Sequence, residues 1–132
     1  MLGVTLLTGA CSNAQNQGDE STQADGVINK DIGVAEFAEG AYQENVLLLD
    51  VRTDGEFAAG HLTGATQINY SAPDFEAKVK DLDRDTPVYV YCRSGNRSGR
   101  AARIMKGLGF KEVYNLAGGI LAWQRKGKPI VQ

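Results

Sequence analysis

Apolar residues along this chain keep two rhythms, and the rhythms take turns. Val34, Phe37, Ala38 and Ala41 fall at helical spacing, as do Phe75, Val79 and Leu82, and later Ala101, Ile104, Met105 and Leu108. Between these stand short continuous apolar runs, residues 46–51 and 87–91, which read as strands covered on both faces. Residues 66–70 and 112–116 predict further short strands, and Val27-Ile28 a brief one leading in. A short helix is expected over residues 54–59, with Gly60 and Gly64 allowing turns on either side of His61-Leu62. Pro73 suits the first turn of the Phe75 helix. Gly107 and Gly109 end the Leu108 helix, and Gly118-Gly119 opens a last one carrying Ile120 and Trp123, stopped by Gly127 and Pro129. Strands alternating with helices predict an α/β fold: a mainly parallel sheet of about five strands with helices on both faces. No internal repeat is visible, so a single unit is expected over residues 27–132.

The first 26 residues break this pattern. Met1 to Cys11 is a short apolar stretch with small residues before the cysteine, too short to span a bilayer. It resembles the end of a bacterial lipoprotein signal, although no Lys or Arg precedes Cys11 and Thr8 stands where leucine is usual. A start inside the true signal is one explanation. Residues 12–26 are Asn, Gln, Ser, Thr, Asp and Gly with almost nothing apolar, and read as a disordered tether. Lipidation of Cys11 would imply the cell envelope or periplasm, with the membrane reached only through that anchor. The other reading is an ordinary tail with an incidental cysteine, and a domain otherwise cytoplasmic.

Net charge is −2, which implies neither a nucleic-acid nor a membrane partner. Its distribution is uneven. Residues 1–66 carry ten acidic and two basic side chains, a balance of −8; residues 67–132 carry six and twelve, a balance of +6. Arg93, Arg97, Arg100 and Arg103 lie within eleven residues of Cys92. Arg100 and Arg103 read as a solvated helix face. Cys11 and Cys92 are too few for a disulfide framework, and no Cys/His cluster suggests a metal.

The chemistry concentrates at Cys92. It ends an apolar strand, and Arg93, Ser94, Gly95, Asn96 and Arg97 follow before a helix begins. Ligands in α/β sheets bind at such strand ends. Loop N–H groups and a helix N-terminus would favour a thiolate or bound anion there, and Arg93 and Arg97 add full charges. Most cysteines at strand ends are inert buried hydrophobes. Here the polar, basic residues that follow do not fit an apolar core, so an electropositive, partly open site and a lowered thiol pKa are expected.

Cys92 through Arg97 resembles the active-site loop of rhodanese-type sulfurtransferases. The resemblance extends to Leu48-Leu49-Asp50-Val51-Arg52, to residues 56–65 including Glu56-Phe57 and Gly60-His61-Leu62, and to Leu108-Gly109-Phe110, Leu116 to Ile120 and Trp123. It implies a rhodanese-like three-layer fold and no cofactor. It implies a Cys92 thiolate that takes sulfur from a small anionic donor such as thiosulfate, becomes a persulfide, and gives that sulfur to cyanide or a thiol. Arg93, Ser94, Gly95, Asn96 and Arg97 would bind substrate. Asp50 and Arg52 would hold the loop, or form a plain capping or ion pair. His61 is expected to pack and hydrogen-bond, because sulfur transfer through a thiolate needs no base. Trp123 is expected in the core.

Two rivals stand beside this reading. Phosphatases and arsenate reductases on the same fold separate cysteine and arginine by five residues, whereas Cys92 and Arg97 are separated by four and Ser98 stands in the sixth place. A persulfide carrier or partner-binding module without turnover would need the same cysteine.

Overall fold

The computed structural model describes residues 26–132. The Cys11 motif and, apart from Gly26, the tether fall outside the described residues. Ten elements alternate: β1 (Ile28–Ile32), α1 (Val34–Ala41), β2 (Leu47–Asp50), α2 (Asp54–Ala59), β3 (Thr66–Gln67), α3 (Phe75–Lys80), β4 (Val88–Tyr91), α4 (Asn96–Gly107), β5 (Glu112–Leu116) and α5 (Gly119–Arg125). All strand pairings in the sheet are parallel, in the order β1-β5-β4-β2-β3.

Alternation along each strand divides the core in two. Leu49, Val88, Val90, Cys92 and Val113 face α3 and α4, where Phe75, Val79, Ala101, Ala102 and Met105 cover them. Leu48, Tyr91 and Leu116 face the opposite layer, packing with Phe37 of α1 and with Ile120 and Trp123 of α5. Trp123 is 3 % exposed, as a core residue should be, and its indole N–H donates to the Pro129 carbonyl at 2.9 Å. The expected sheet flanked by helices is therefore the observed one.

Two strands differ from the sequence reading. β1 continues through Asn29, Lys30 and Asp31, polar residues that an edge strand tolerates because one side faces water. β3 stops at Gln67 instead of running to Tyr70. The chain beyond it still follows β2, with Ile68 N–H donating to Asp50 and Tyr70 N–H to Val51, both at 2.9 Å. Pro73 lies just before α3, whose first helical residue is Phe75.

The topology fixes where a site can be. From β2 the chain moves outward to the edge strand β3; from β4 it moves the other way, to β5. Adjacent β2 and β4 thus flank the point where strand order reverses, and their carboxyl ends open a crevice. Asp50 ends β2 and Tyr91 ends β4 in direct register, which brings Arg52 and Cys92 to the same end of the sheet.

Candidate active site

Cys92 sits at the carboxyl end of β4 and is 1 % exposed. The partly open thiol expected from the sequence is instead enclosed by its own loop. Gly95, at φ 101°, turns the backbone so that its N–H donates to Cys92 Sγ at 3.1 Å. The Ser98 hydroxyl, fully buried in the first turn of α4, donates to the same sulfur at 3.3 Å. Burial pushes the thiol pKa up. The Ser98 hydroxyl and the Ser98, Gly95 and Ser94 amides more than offset that, and the thiol lies below its ordinary value. The loop amides expected from the sequence, joined by the Ser98 hydroxyl, are the main causes of this depression.

A second element fixes the loop from behind. Amides at the start of α5 hold the loop carbonyls: Ile120 N–H donates to Cys92 O at 2.9 Å and Leu121 N–H to Arg93 O at 3.2 Å. With the carbonyls held outward, the following amides are free to turn toward the sulfur. Such close approach requires glycine at 119, where a Cβ would lie 2.3 Å from the Arg93 carbonyl oxygen. Asn115 of β5 completes the support, its Nδ2 donating to the Gly95 carbonyl at 3.2 Å and to Asp31 Oδ1 at 3.0 Å.

Asp50 and Arg52 form a buried pair. Asp50 is fully buried and accepts from Arg52 N–H at 2.8 Å, from Nε at 3.0 and 3.1 Å, and from Nη2 at 2.8 Å. Arg52 Nη2 also donates to the Gly60 carbonyl at 2.6 Å, tying the end of α2 to the end of β2. Its guanidinium stands over the Tyr91 ring, 5.5 Å from the centroid. Burial and the Asp50 charge hold the Tyr91 hydroxyl protonated well above the usual phenol range, while that oxygen accepts the Leu62 N–H at 3.0 Å. His61 packs flat on Phe57, centroids 3.7 Å apart, with Nδ1 2.8 Å from the Phe57 carbonyl.

Arg97 is paired with Glu56. Its Nη1 and Nη2 donate to Glu56 Oε1 and Oε2 at 2.8 and 2.9 Å, a bidentate pair between α4 and α2. Glu56 is itself fixed by a capping box with Thr53. The Arg97 bond holds the Glu56 carboxyl far below the ordinary range, at about 2. Arg93 and Ser94 are exposed, Asn96 is exposed at the start of α4, and Arg100 and Arg103 face solvent. A groove of about 210 Å³ lies beside the loop, with Arg52, Glu56, Arg93 and Gln124 among apolar walls that include Ile120 and Ile130.

A buried, hydrogen-bonded sulfur at the amide-lined start of a helix can act as nucleophile or bear an anionic sulfur. A family model described as the rhodanese-like domain matches residues 33–126, spanning every element from α1 to α5. The chain belongs to the rhodanese-like domain family. It is 41 % identical over 88 residues to a sulfurtransferase of Allochromatium vinosum, covering 67 % of this chain and 80 % of that protein. It is 40 % identical over 82 residues to the thiosulfate sulfurtransferase GlpE of Pseudomonas entomophila, covering 61 % of this chain and 72 % of that protein. Among solved structures, a rhodanese-related protein from Thermoplasma volcanium superposes with a TM-score of 0.68 at 32 % identity, covering 77 % of this chain and 97 % of that one.

In this rhodanese domain, the sequence alone gives Glu56 and Asn115 no role at the site, Gly119 none beyond opening the last helix, and Ser98 none beyond its place in the loop count. Thr53-Asp54-Gly55-Glu56 has the spacing of a capping box and could have flagged Glu56 as ordered. Nothing local could have named its partner, 41 residues away.

Proposed function

We propose that this domain is a sulfurtransferase that moves a sulfane sulfur through a persulfide on Cys92. Thiosulfate or a related anionic donor is the first substrate. The Cys92 thiolate attacks the outer sulfur; the S–S bond of thiosulfate breaks and sulfite leaves with its electron pair. The product is a Cys92 persulfide anion, so charge is conserved. Cyanide or a thiolate then attacks the terminal sulfur and returns the Cys92 thiolate. One transfer is split into two steps, which predicts ping-pong kinetics.

One observation carries this reading. The amides of Ser94, Gly95 and Ser98 and the Ser98 hydroxyl converge on a single sulfur atom. Donors already in place stabilise a negative charge on sulfur without reorganising. The loop between Cys92 and Arg97 is one residue shorter than the phosphatase type, and the named sulfurtransferase relatives support the same choice. Arg93 is exposed at the groove beside the loop, where it can meet the donor's anionic end.

Thiosulfate:cyanide turnover, followed as thiocyanate, tests the proposal. The full chain is expected to turn over and Cys92→Ala to be inactive. A folded parent with no turnover would reject thiosulfate as donor. We further propose that Cys11 anchors the protein to the envelope, on the strength of the apolar run before it and the polar run after it. Cys11→Ser is then expected to move the expressed protein from the membrane to the soluble fraction; an unchanged distribution would reject the anchor.

A further inference from the structure

Counting arginines around Cys92 overstates the positive charge that a donor meets. The Asp50 carboxylate lies 2.8 Å from Arg52 Nη2 and the Glu56 carboxylate 2.8 Å from Arg97 Nη1. Arg93 is left as the one loop arginine without an ion-pair partner among the described residues. The two pairs differ in kind. Asp50–Arg52 is buried, with side chains 0 % and 6 % exposed, and belongs to the frame of the sheet. Glu56–Arg97 is wet, with side chains 29 % and 27 % exposed, and Glu56 lines the groove together with Arg93 and Arg52. Arg97 is also close enough to interact electrostatically with the Cys92 sulfur.

We propose that Glu56 is a specificity-determining residue: by occupying the Arg97 guanidinium and adding its own charge to the groove, it disfavours anionic sulfur donors, dianions most of all, relative to neutral ones. The carboxylate takes one N–H from each Nη, the end-on fork with which Arg97 would otherwise grip an oxyanion. The pair is also held in place by the capping box, since Thr53 N–H and its hydroxyl donate to Glu56 Oε1 at 3.2 and 3.0 Å. Glu56 therefore cannot swing aside without breaking bonds at the start of α2. The consequence for donors rests on the sulfurtransferase reading; the charge effect does not.

The test needs no turnover. In the full chain carrying Cys11→Ser, Cys92 is alkylated at low ionic strength with iodoacetate, an anion, and with iodoacetamide, its neutral counterpart. The ratio of the two rates cancels any change in thiol pKa and reports the field felt by an incoming anion. Glu56→Gln keeps the capping-box geometry and removes the charge. It is expected to raise the iodoacetate-to-iodoacetamide ratio about fivefold, the size of one partly exposed charge contact. The gain is expected to shrink at high salt. Glu56→Asp retains a carboxylate and is expected to stay near the parent ratio. Adding Arg97→Gln to Glu56→Gln is expected to remove most of the gain, which assigns it to the freed guanidinium. An unchanged ratio in Glu56→Gln, or an equal rise in Glu56→Asp, would overturn the proposal and leave sulfur transfer untouched. Absence of thiosulfate turnover in the parent would reject that donor and leave this proposal standing.

Discussion

Replacing Ser98 with alanine isolates one bond to the reactive sulfur. The side chain loses its hydroxyl, while the Ser98 backbone N–H still points at Cys92. The site is fully buried, so no water takes the place of the lost donor at the surface. A hydrogen bond to a charged group contributes about 1.5–3 kcal/mol. The Oγ to Sγ distance of 3.3 Å is that of a long, soft acceptor, which places the bond near the lower end of that range. One pKa unit corresponds to about 1.4 kcal/mol, so the Cys92 pKa is expected to rise by about one unit in Ser98→Ala. Alanine is a better helix former than serine, which offsets part of any cost to α4. The assay is the pH dependence of iodoacetamide alkylation in the Cys11→Ser background. The midpoint should move upward while the plateau rate at high pH stays close to the parent's. Below both midpoints the rate should fall about tenfold. An unchanged midpoint would refute the claim that the hydroxyl stabilises the thiolate. A lowered plateau with no shift would mean that Ser98 only shapes the loop.

Three further outcomes follow from the same contacts. Asp50→Asn leaves the Arg52 guanidinium buried without its counter-charge, and chemical denaturation should show a loss of about 3 kcal/mol; a loss below about 1 kcal/mol would mean the pair contributes little to the frame. Gly119→Ala places a methyl against the Arg93 carbonyl and should cost about 1–3 kcal/mol while slowing Cys92 alkylation, read by thermal unfolding and labelling together. Glu56 has a folded pKa near 2 against an ordinary 4.5, so its contribution is present above pH 4.5 and is lost as pH falls toward 2. Discounted for solvent screening this is about 1 kcal/mol, and the stability of Glu56→Gln should fall less than the parent's across that window in acid titrations.

The parts of this domain legible in the sequence are those whose physics is local. Leu47 to Leu49 and Val88 to Tyr91 are apolar on both faces because the sheet is covered on both faces, and the run alone announces them. Cys92 is legible because its strand stops in residues that cannot be buried together. Edge strand β1 was underread because Asn29, Lys30 and Asp31 carry no apolar alternation. The charge pairing at the site is not legible, for a different reason. Composition counts Arg97 as a cation, but its value to an anion depends on Glu56, brought to it from 41 residues away by the fold. The clamp of α5 on the loop is equally non-local: Gly118-Gly119 reads as a helix start, and only the structure gives Gly119 its contact with Arg93.

The central claim is that Cys92 carries the sulfur. The most direct measurement is the intact mass of the full chain after exposure to thiosulfate, with peptide mapping of any adduct. The account predicts a gain of one sulfur atom, mapped to Cys92, removed by cyanide and absent from Cys92→Ala. A folded parent that gains nothing, or a gain that persists in Cys92→Ala at another residue, would contradict it.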